Sequence, residues 1–333
     1  MNNNILFIYY FTIICIPKYQ PVLKKYLNIL LLLFFAATLS AESRDTIYSF
    51  TLFRDITISI DRPNMAGKEK KPVLLILYAL PNGNTTAQTM GKKIKTGDDW
   101  HFDIQHIRAQ TIFIRNRLPN KNVVVAYLEN DLKSWPAWKQ KHPQFADSIK
   151  LIVDTLASMF NRPVIYLNGH SGGGSFIFGY LRGVNEIPVN IHRISFIDSD
   201  YGYDSTYTRQ LLGWLKNKRH YLTVFAYNDS VAFYNGKPIV SATGGTWYRS
   251  HLLLQHLQDE FIMHTEQGDS MVIVKSRNKR IQFFFKLNPD RKIFHTQQVE
   301  FNGFIHSVLC GTKKDSKGYQ YYGPRAYNEF IRE

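Results

Sequence analysis

The sequence predicts an α/β fold: a mostly parallel, twisted sheet with helices on both faces. Three observations lead there. Short uninterrupted apolar runs, at residues 72–78 and 123–127, have the composition of strands buried on both sides. They alternate along the chain with amphipathic stretches of helical period, the pattern of strands joined by crossover helices. The pentapeptide Gly169-His170-Ser171-Gly172-Gly173 directly follows another such run, Val164-Ile165-Tyr166-Leu167, and opens onto small residues suited to a helix start.

The elements follow in order. Residues 46–53 and 56–61 alternate as two antiparallel strands, and 63–71 is a turn or loop. Residues 72–78 form a buried strand ending in the turn-rich Ala79-Leu80-Pro81-Asn82-Gly83-Asn84. A helix is expected over 100–115, a strand over 123–127 and an amphipathic helix over 144–160, where Phe145, Ile149, Ile152, Val153 and Leu156 share a face. Residues 163–167 are the strand that feeds Ser171, and a helix continues to 183. Then come a strand at 193–198, a helix at 207–216, a strand at 221–227 and a helix at 247–263. Strands at 271–274 and 281–287 are expected to pair over Arg277-Asn278, and 327–332 is a short closing helix. The loop at 233–246, with Gly236, Pro238, Gly244 and Gly245, is expected as an insertion over an active site.

A chain of 333 residues with 44% hydrophobic content suits one large domain with insertions. Residues 1–41 read as a leader: Lys24 and Lys25 precede an apolar run at 27–37, and Thr38-Leu39-Ser40-Ala41 offers small residues for cleavage. The expected division is therefore a leader at 1–41 and an α/β domain at 42–333, exported to a periplasmic or extracellular location. Only an uncleaved leader would tie it to a membrane. Cys15 would leave with the leader, so Cys310 would have no partner for an intramolecular disulfide. The net charge of +15 falls to about +12 without Lys18, Lys24 and Lys25. The basic residues are dispersed, and no nucleic-acid motif accompanies them.

The chemistry centres on Ser171. A serine forced into a tight strand-to-helix turn collides with side chains two residues before and two after, and glycine at both places removes the collision. The following helix start offers unpaired N–H groups to a developing oxyanion. A serine hydroxyl needs a base, normally a histidine held by a carboxylate. Asp229, after the strand at 221–227, is the expected acid, with Asp198 and Asp200 as alternatives. His306, in a loop entering a short helical stretch, is the expected base, with His295 as the alternative. The oxyanion donors are expected at Gly172 and at Asn82 or Gly83, since Pro81 has no N–H. His170 and Trp247 are candidate substrate contacts. Asp103 and His106 are three residues apart near a helix, but a solvated helix start outweighs a metal site there, and no metal or cofactor is expected.

On these residues the chain resembles the α/β-hydrolase superfamily over about residues 72–306, and resembles secreted bacterial serine hydrolases of unassigned substrate. The resemblance implies a mostly parallel sheet of about eight strands and a Ser-acid-His order along the chain. It also implies an exported serine hydrolase, a carboxylic-ester hydrolase working through an acyl-enzyme on a small-molecule or glycan ester. A peptidase of the same fold, or a non-catalytic glycan- or surface-binding protein on this scaffold, are the alternatives. The His-Gly-Gly oxyanion motif of many lipases is absent, and Leu80-Pro81-Asn82-Gly83 stands in its place.

Overall fold

A computed structural model of the protein describes residues 45–64 and 70–333; the expected leader lies outside the described residues. In chain order these form β1 (Thr46–Leu52), β2 (Ile56–Arg62), β3 (Val73–Ala79), α1 (Thr86–Met90), a 3₁₀ turn at Trp100–Asp103, α2 (Ile107–Arg117) and β4 (Asn122–Asn130). Next come α3 (Trp135–Lys141), α4 (Phe145–Ser158), β5 (Val164–His170), a 3₁₀ turn at Ser171–Gly173, α5 (Gly174–Arg182), β6 (Ile191–Ile197), α6 (Thr208–Leu215) and β7 (Tyr221–Tyr227). The remainder is β8 (Phe233–Tyr234), β9 (Lys237–Pro238), α7 (Thr246–Gln258), β10 (Met263–Gln267), β11 (Met271–Ser276), β12 (Ile281–Lys286), α8 (Gln297–Glu300) and α9 (Gly303–Leu309). No helix among the described residues is long and apolar enough to cross a membrane.

Ten strands form one sheet in the order β1-β2-β4-β3-β5-β6-β7-β12-β11-β10. The six from β4 to β12 are mutually parallel. The edges, β1 and β2 on one side and β11 and β10 on the other, pair antiparallel. The sheet is thus wider than expected, and β10 is the strand the sequence reading lacked. It carries His264, Thr265 and Glu266, exposed polar residues that give an edge strand no apolar signature. The helix expected over 247–263 correspondingly stops at Gln258. The helix expected over 100–115 is broken, because His106 adopts a left-handed φ of 45° just before α2.

Alternation along the strands feeds two cores. Leu75, Leu77 and Ala79 of β3 face one side, packed with α3, α4, α5, α6 and α7, while Leu74, Ile76 and Tyr78 face α2 and α9 on the other. Buried Arg193 is held by Thr223 Oγ1 at 3.0 Å and the Cys310 carbonyl at 2.7 Å, with the Tyr221 ring 4.5 Å away. Burial pushes the Cys310 thiol up to about 12, which keeps it protonated and unreactive.

The chain runs from β3 to β4 on one side and takes β5 to the other, so the sheet switches direction between β3 and β5. Ligands bind at such a point, in the crevice beyond the carboxyl ends of the strands. The loops after β3 and β5 carry Asn82 and Ser171.

On α4 the two faces differ in what they stabilise. Leu156→Ala should lower the unfolding free energy by about 3 kcal/mol in a denaturant titration. Leu151→Ala, at a site 51% exposed, should stay within about 0.5 kcal/mol.

Candidate active site

β5 ends at His170, and Ser171 takes a left-handed φ of 55°. That conformation is costly for a residue with a Cβ and persists only where its surroundings enforce it. Close packing enforces it here. A Cβ at Gly169 would stand 2.8 Å from the Gly173 carbonyl carbon, and one at Gly172 would overlap the Asn82 carboxamide. The turn thus lies against the loop after β3. Two 3₁₀ and helical elements, Ser171–Gly173 and Gly174–Arg182, follow without a break. The chain has the α/β-hydrolase fold, with a strand-to-serine-to-helix elbow at the switch point of its sheet.

His170 lies opposite Ile197 in the β5–β6 register, so Ser171 and Asp198 leave neighbouring parallel strands at one level. Asp198 also has a left-handed φ, 46°, and is fully buried. Its Oδ2 meets Nδ1 of His295 at 2.5 Å, and its Oδ1 accepts from the Thr246 hydroxyl. The His295 ring lies 4.5 Å from that of His170, and His170 Nε2 donates to the His295 carbonyl at 3.1 Å. The residue next to the serine therefore holds both the backbone and the ring of His295. Burial, followed by the neighbouring His295, keeps the His170 imidazole well below the usual histidine range, so it carries no competing positive charge. His170, expected to touch substrate, is 2% exposed and faces His295.

The expected pairing of Asp229 with His306 is not among the contacts of either residue. Asp229 accepts from Thr246 N at 2.8 Å and Trp247 N at 3.3 Å, the first turn of α7, and so caps that helix. Burial, reinforced by the charge of Asp198, pushes its carboxyl up to about 6. His306 lies on α9 in an aromatic box, its ring 5.3 Å from Tyr321 and 4.7 Å from Phe284, with Nδ1 2.9 Å from the Tyr319 hydroxyl. Burial lowers it to about 4. Asp200 accepts from Ser250 at 2.8 Å, and burial raises its carboxyl well above the usual range. Trp247 is half-buried and packs against the core on Phe285, with ring centroids 5.4 Å apart.

Of the oxyanion candidates, Gly83 N–H is already donated to the Lys133 carbonyl at 2.8 Å. Asn82 is exposed beside Gly172, and among the described residues nothing accepts from its N–H. Asp103 and His106 do meet, at 2.9 Å, and share Arg325, which bonds Asp103 at 2.7 Å; they form a structural ion-pair network that ties down the C-terminal segment. Among the described residues no group of three or more acidic, histidine or cysteine side chains is arranged to hold a metal.

A cavity of about 870 Å³ opens beside His295, walled by Tyr201, Tyr227 and Ile293 and by Tyr234 and Lys237 of the β8–β9 hairpin. The expected insertion at 233–246 supplies that hairpin. A larger cavity of about 1020 Å³, between α5, α6 and His220, is lined by none of the candidate site residues.

Chain order and strand ends alone favour Asp229 and His306. A signal for His295 was its place in the first loop after β12. What order could not convey is that Asp229 is spent on a helix terminus.

No family model and no curated protein matches the chain. Solved structures do resemble it. A protein described as FAE is similar at 10% identity over 83% of this chain and 90% of that one, with a TM-score of 0.47. A thermostable esterase is similar at 12% identity over 80% of this chain and 63% of its own length, with a TM-score of 0.46. The siderophore hydrolase EstA from Aspergillus nidulans is similar at 12% identity over 81% and 96%, with a TM-score of 0.41.

The raised Asp229 carboxyl has a pH signature. The folded state holds its proton up to about 6, whereas the unfolded chain releases it near 3.8, so this group's contribution to stability is full below the lower value and is lost as pH rises through the upper one. Wild type should lose on the order of 2 kcal/mol relative to Asp229→Asn between pH 4 and 6.5, measured by denaturant titrations across that range.

Proposed function

We propose that the protein is a serine hydrolase acting on carboxylic esters, with Ser171 as nucleophile, His295 as general base and acid, and Asp198 as the carboxylate that orients it. The observation that carries this reading is the 2.5 Å contact between His295 Nδ1 and the buried Asp198, formed beside a serine with a left-handed φ of 55°. In this assignment the Asp198 and His295 alternatives replace Asp229 and His306.

With Nδ1–H donated to Asp198, His295 Nε2 is the free base. It takes the Ser171 hydroxyl proton as Oγ attacks the acyl carbon. The oxyanion of the tetrahedral intermediate is received by the N–H groups of Gly172 and Asn82. As the intermediate collapses, His295 passes the proton to the leaving oxygen, and the acyl group stays on Ser171. Water, deprotonated by His295, then attacks the acyl-enzyme and releases the acid. Thr246, which donates to Asp198, fixes the second carboxylate oxygen. Asp198 thus keeps a single orientation toward the imidazole.

A fluorophosphonate probe followed by mass spectrometry tests the assignment. Label is expected on Ser171 in wild type and in His306→Gln, and none in Ser171→Ala or His295→Ala. With an activated acetate ester, Asp198→Asn should cut kcat/KM by about 10³-fold, and Asp229→Asn far less. Labelling that survives His295→Ala but vanishes in His306→Gln would overturn it.

Export, proposed from residues 1–41, has its own check. The mature protein recovered from its source should begin near Glu42, and an N-terminus at Met1 would refute cleavage.

A further inference from the structure

The cavity beside His295 has a chemistry that narrows the substrate. This inference rests on the proposed roles of Ser171 and His295. The imidazole that carries the proton must reach the leaving oxygen, so whatever is attached to that oxygen lies on the His295 side. The 870 Å³ cavity is the space on that side.

Its wall combines three kinds of group. Tyr201, Tyr227 and Tyr234 offer ring faces and edges, with the Tyr201 ring 6.4 Å from that of His295. Tyr227 is 1% exposed and rigid, while Tyr234 is 65% exposed on the β8–β9 hairpin. Pro238, Ile239, Val240 and Ile293 give an apolar floor. Lys237 is the cation, and no Asp or Glu side chain lines the wall. Among the described residues, none of the three tyrosine hydroxyls has a hydrogen-bond partner and the Lys237 ammonium has no carboxylate partner. Burial raises the Tyr201 and Tyr227 hydroxyls, which therefore stay protonated donors. Unspent donors, a single positive charge and flat apolar surfaces facing one space suit a ring that carries an anion.

We propose that this cavity is the leaving-group subsite and takes a ring-bearing alcohol with an anionic substituent, the ring against the tyrosines and the anion at Lys237. An aryl carboxylate and a uronate sugar share that chemistry, and the experiment separates them.

The acyl group is held constant as acetate. For the aryl arm, kcat/KM for 4-acetoxybenzoate is compared with that for its methyl ester; for the sugar arm, acetylated glucuronate is compared with acetylated glucose. In the aryl pair the anionic phenol is the poorer leaving group, so a preference for it opposes intrinsic reactivity. Wild type should prefer the anionic member of at least one pair by about fivefold, and Lys237→Gln should erase that preference. Which pair shows the effect identifies the ring.

Equilibrium binding of 4-hydroxybenzoate and glucuronate to Ser171→Ala gives a readout free of chemistry. The favoured product should bind about fivefold more weakly when Lys237→Gln or Tyr234→Ala is added. Both side chains are exposed, so neither change threatens folding. Hydrolysis with no preference in either pair and no Lys237-dependent binding overturns the subsite and leaves the serine hydrolase intact. Failure of wild type to hydrolyse all four esters or to take the fluorophosphonate overturns the catalytic reading. The Ser171→Ala binding result then decides the subsite separately.

Discussion

The structure depends on one crowded crossing, where the turn after β5 is pressed against the loop after β3. A left-handed Ser171 is held by close packing around it, with no room for a Cβ at Gly169, against the Gly173 backbone, or at Gly172, against the Asn82 carboxamide. The contact also sets the geometry of the candidate site. It brings the Asn82 carboxamide beside Gly172 and sets Ser171 at the point where strand connections diverge. The parallel strands on either side of β5, β3 and β6, hold that position from both sides.

Three carboxylates are buried within a few residues of one another at the ends of β6 and β7, an arrangement that would be costly if each were ionised and alike. They are made unlike by their donors. Asp198 has an imidazole and a hydroxyl, Asp229 has the first turn of α7, and Asp200 has one serine hydroxyl and a carboxyl held protonated. Only one of the three is directed at a histidine. Thr246 links two of them, with its N–H on Asp229 and its hydroxyl on Asp198, so the start of α7 positions the acid pair as a unit.

Much of the fold was legible because burial on both faces leaves continuous apolar runs, as at β3, β4 and β7, which the structure places within a residue or a few of the reading. β10 was not legible, since an edge strand is exposed and polar. Nor was the short α3, whose Ser134 cap and Pro136 were its only markers. In the site, Ser171 announced itself through local sterics, which a pentapeptide can encode. The partners of Ser171 did not. Asp198 and Asp229 both end buried strands, and His295 and His306 both follow β12; what separates them is which side chain a helix terminus or an aromatic box has already engaged. Those are contacts between residues 13 to 97 positions apart, invisible to spacing.

The grip of His170 on His295 joins residues 125 positions apart in the chain. During synthesis, therefore, Ser171 emerges well before the segment that carries His295, and a chain folded only through β7 has the Ser171 turn without the Asp198–His295 contact beside it. Docking of the last quarter of the sequence is what completes the Asp198–His295 pair beside Ser171. On the proposed roles of these residues, a partly synthesised or partly unfolded chain is latent until the long-range contacts that mark completed folding have formed.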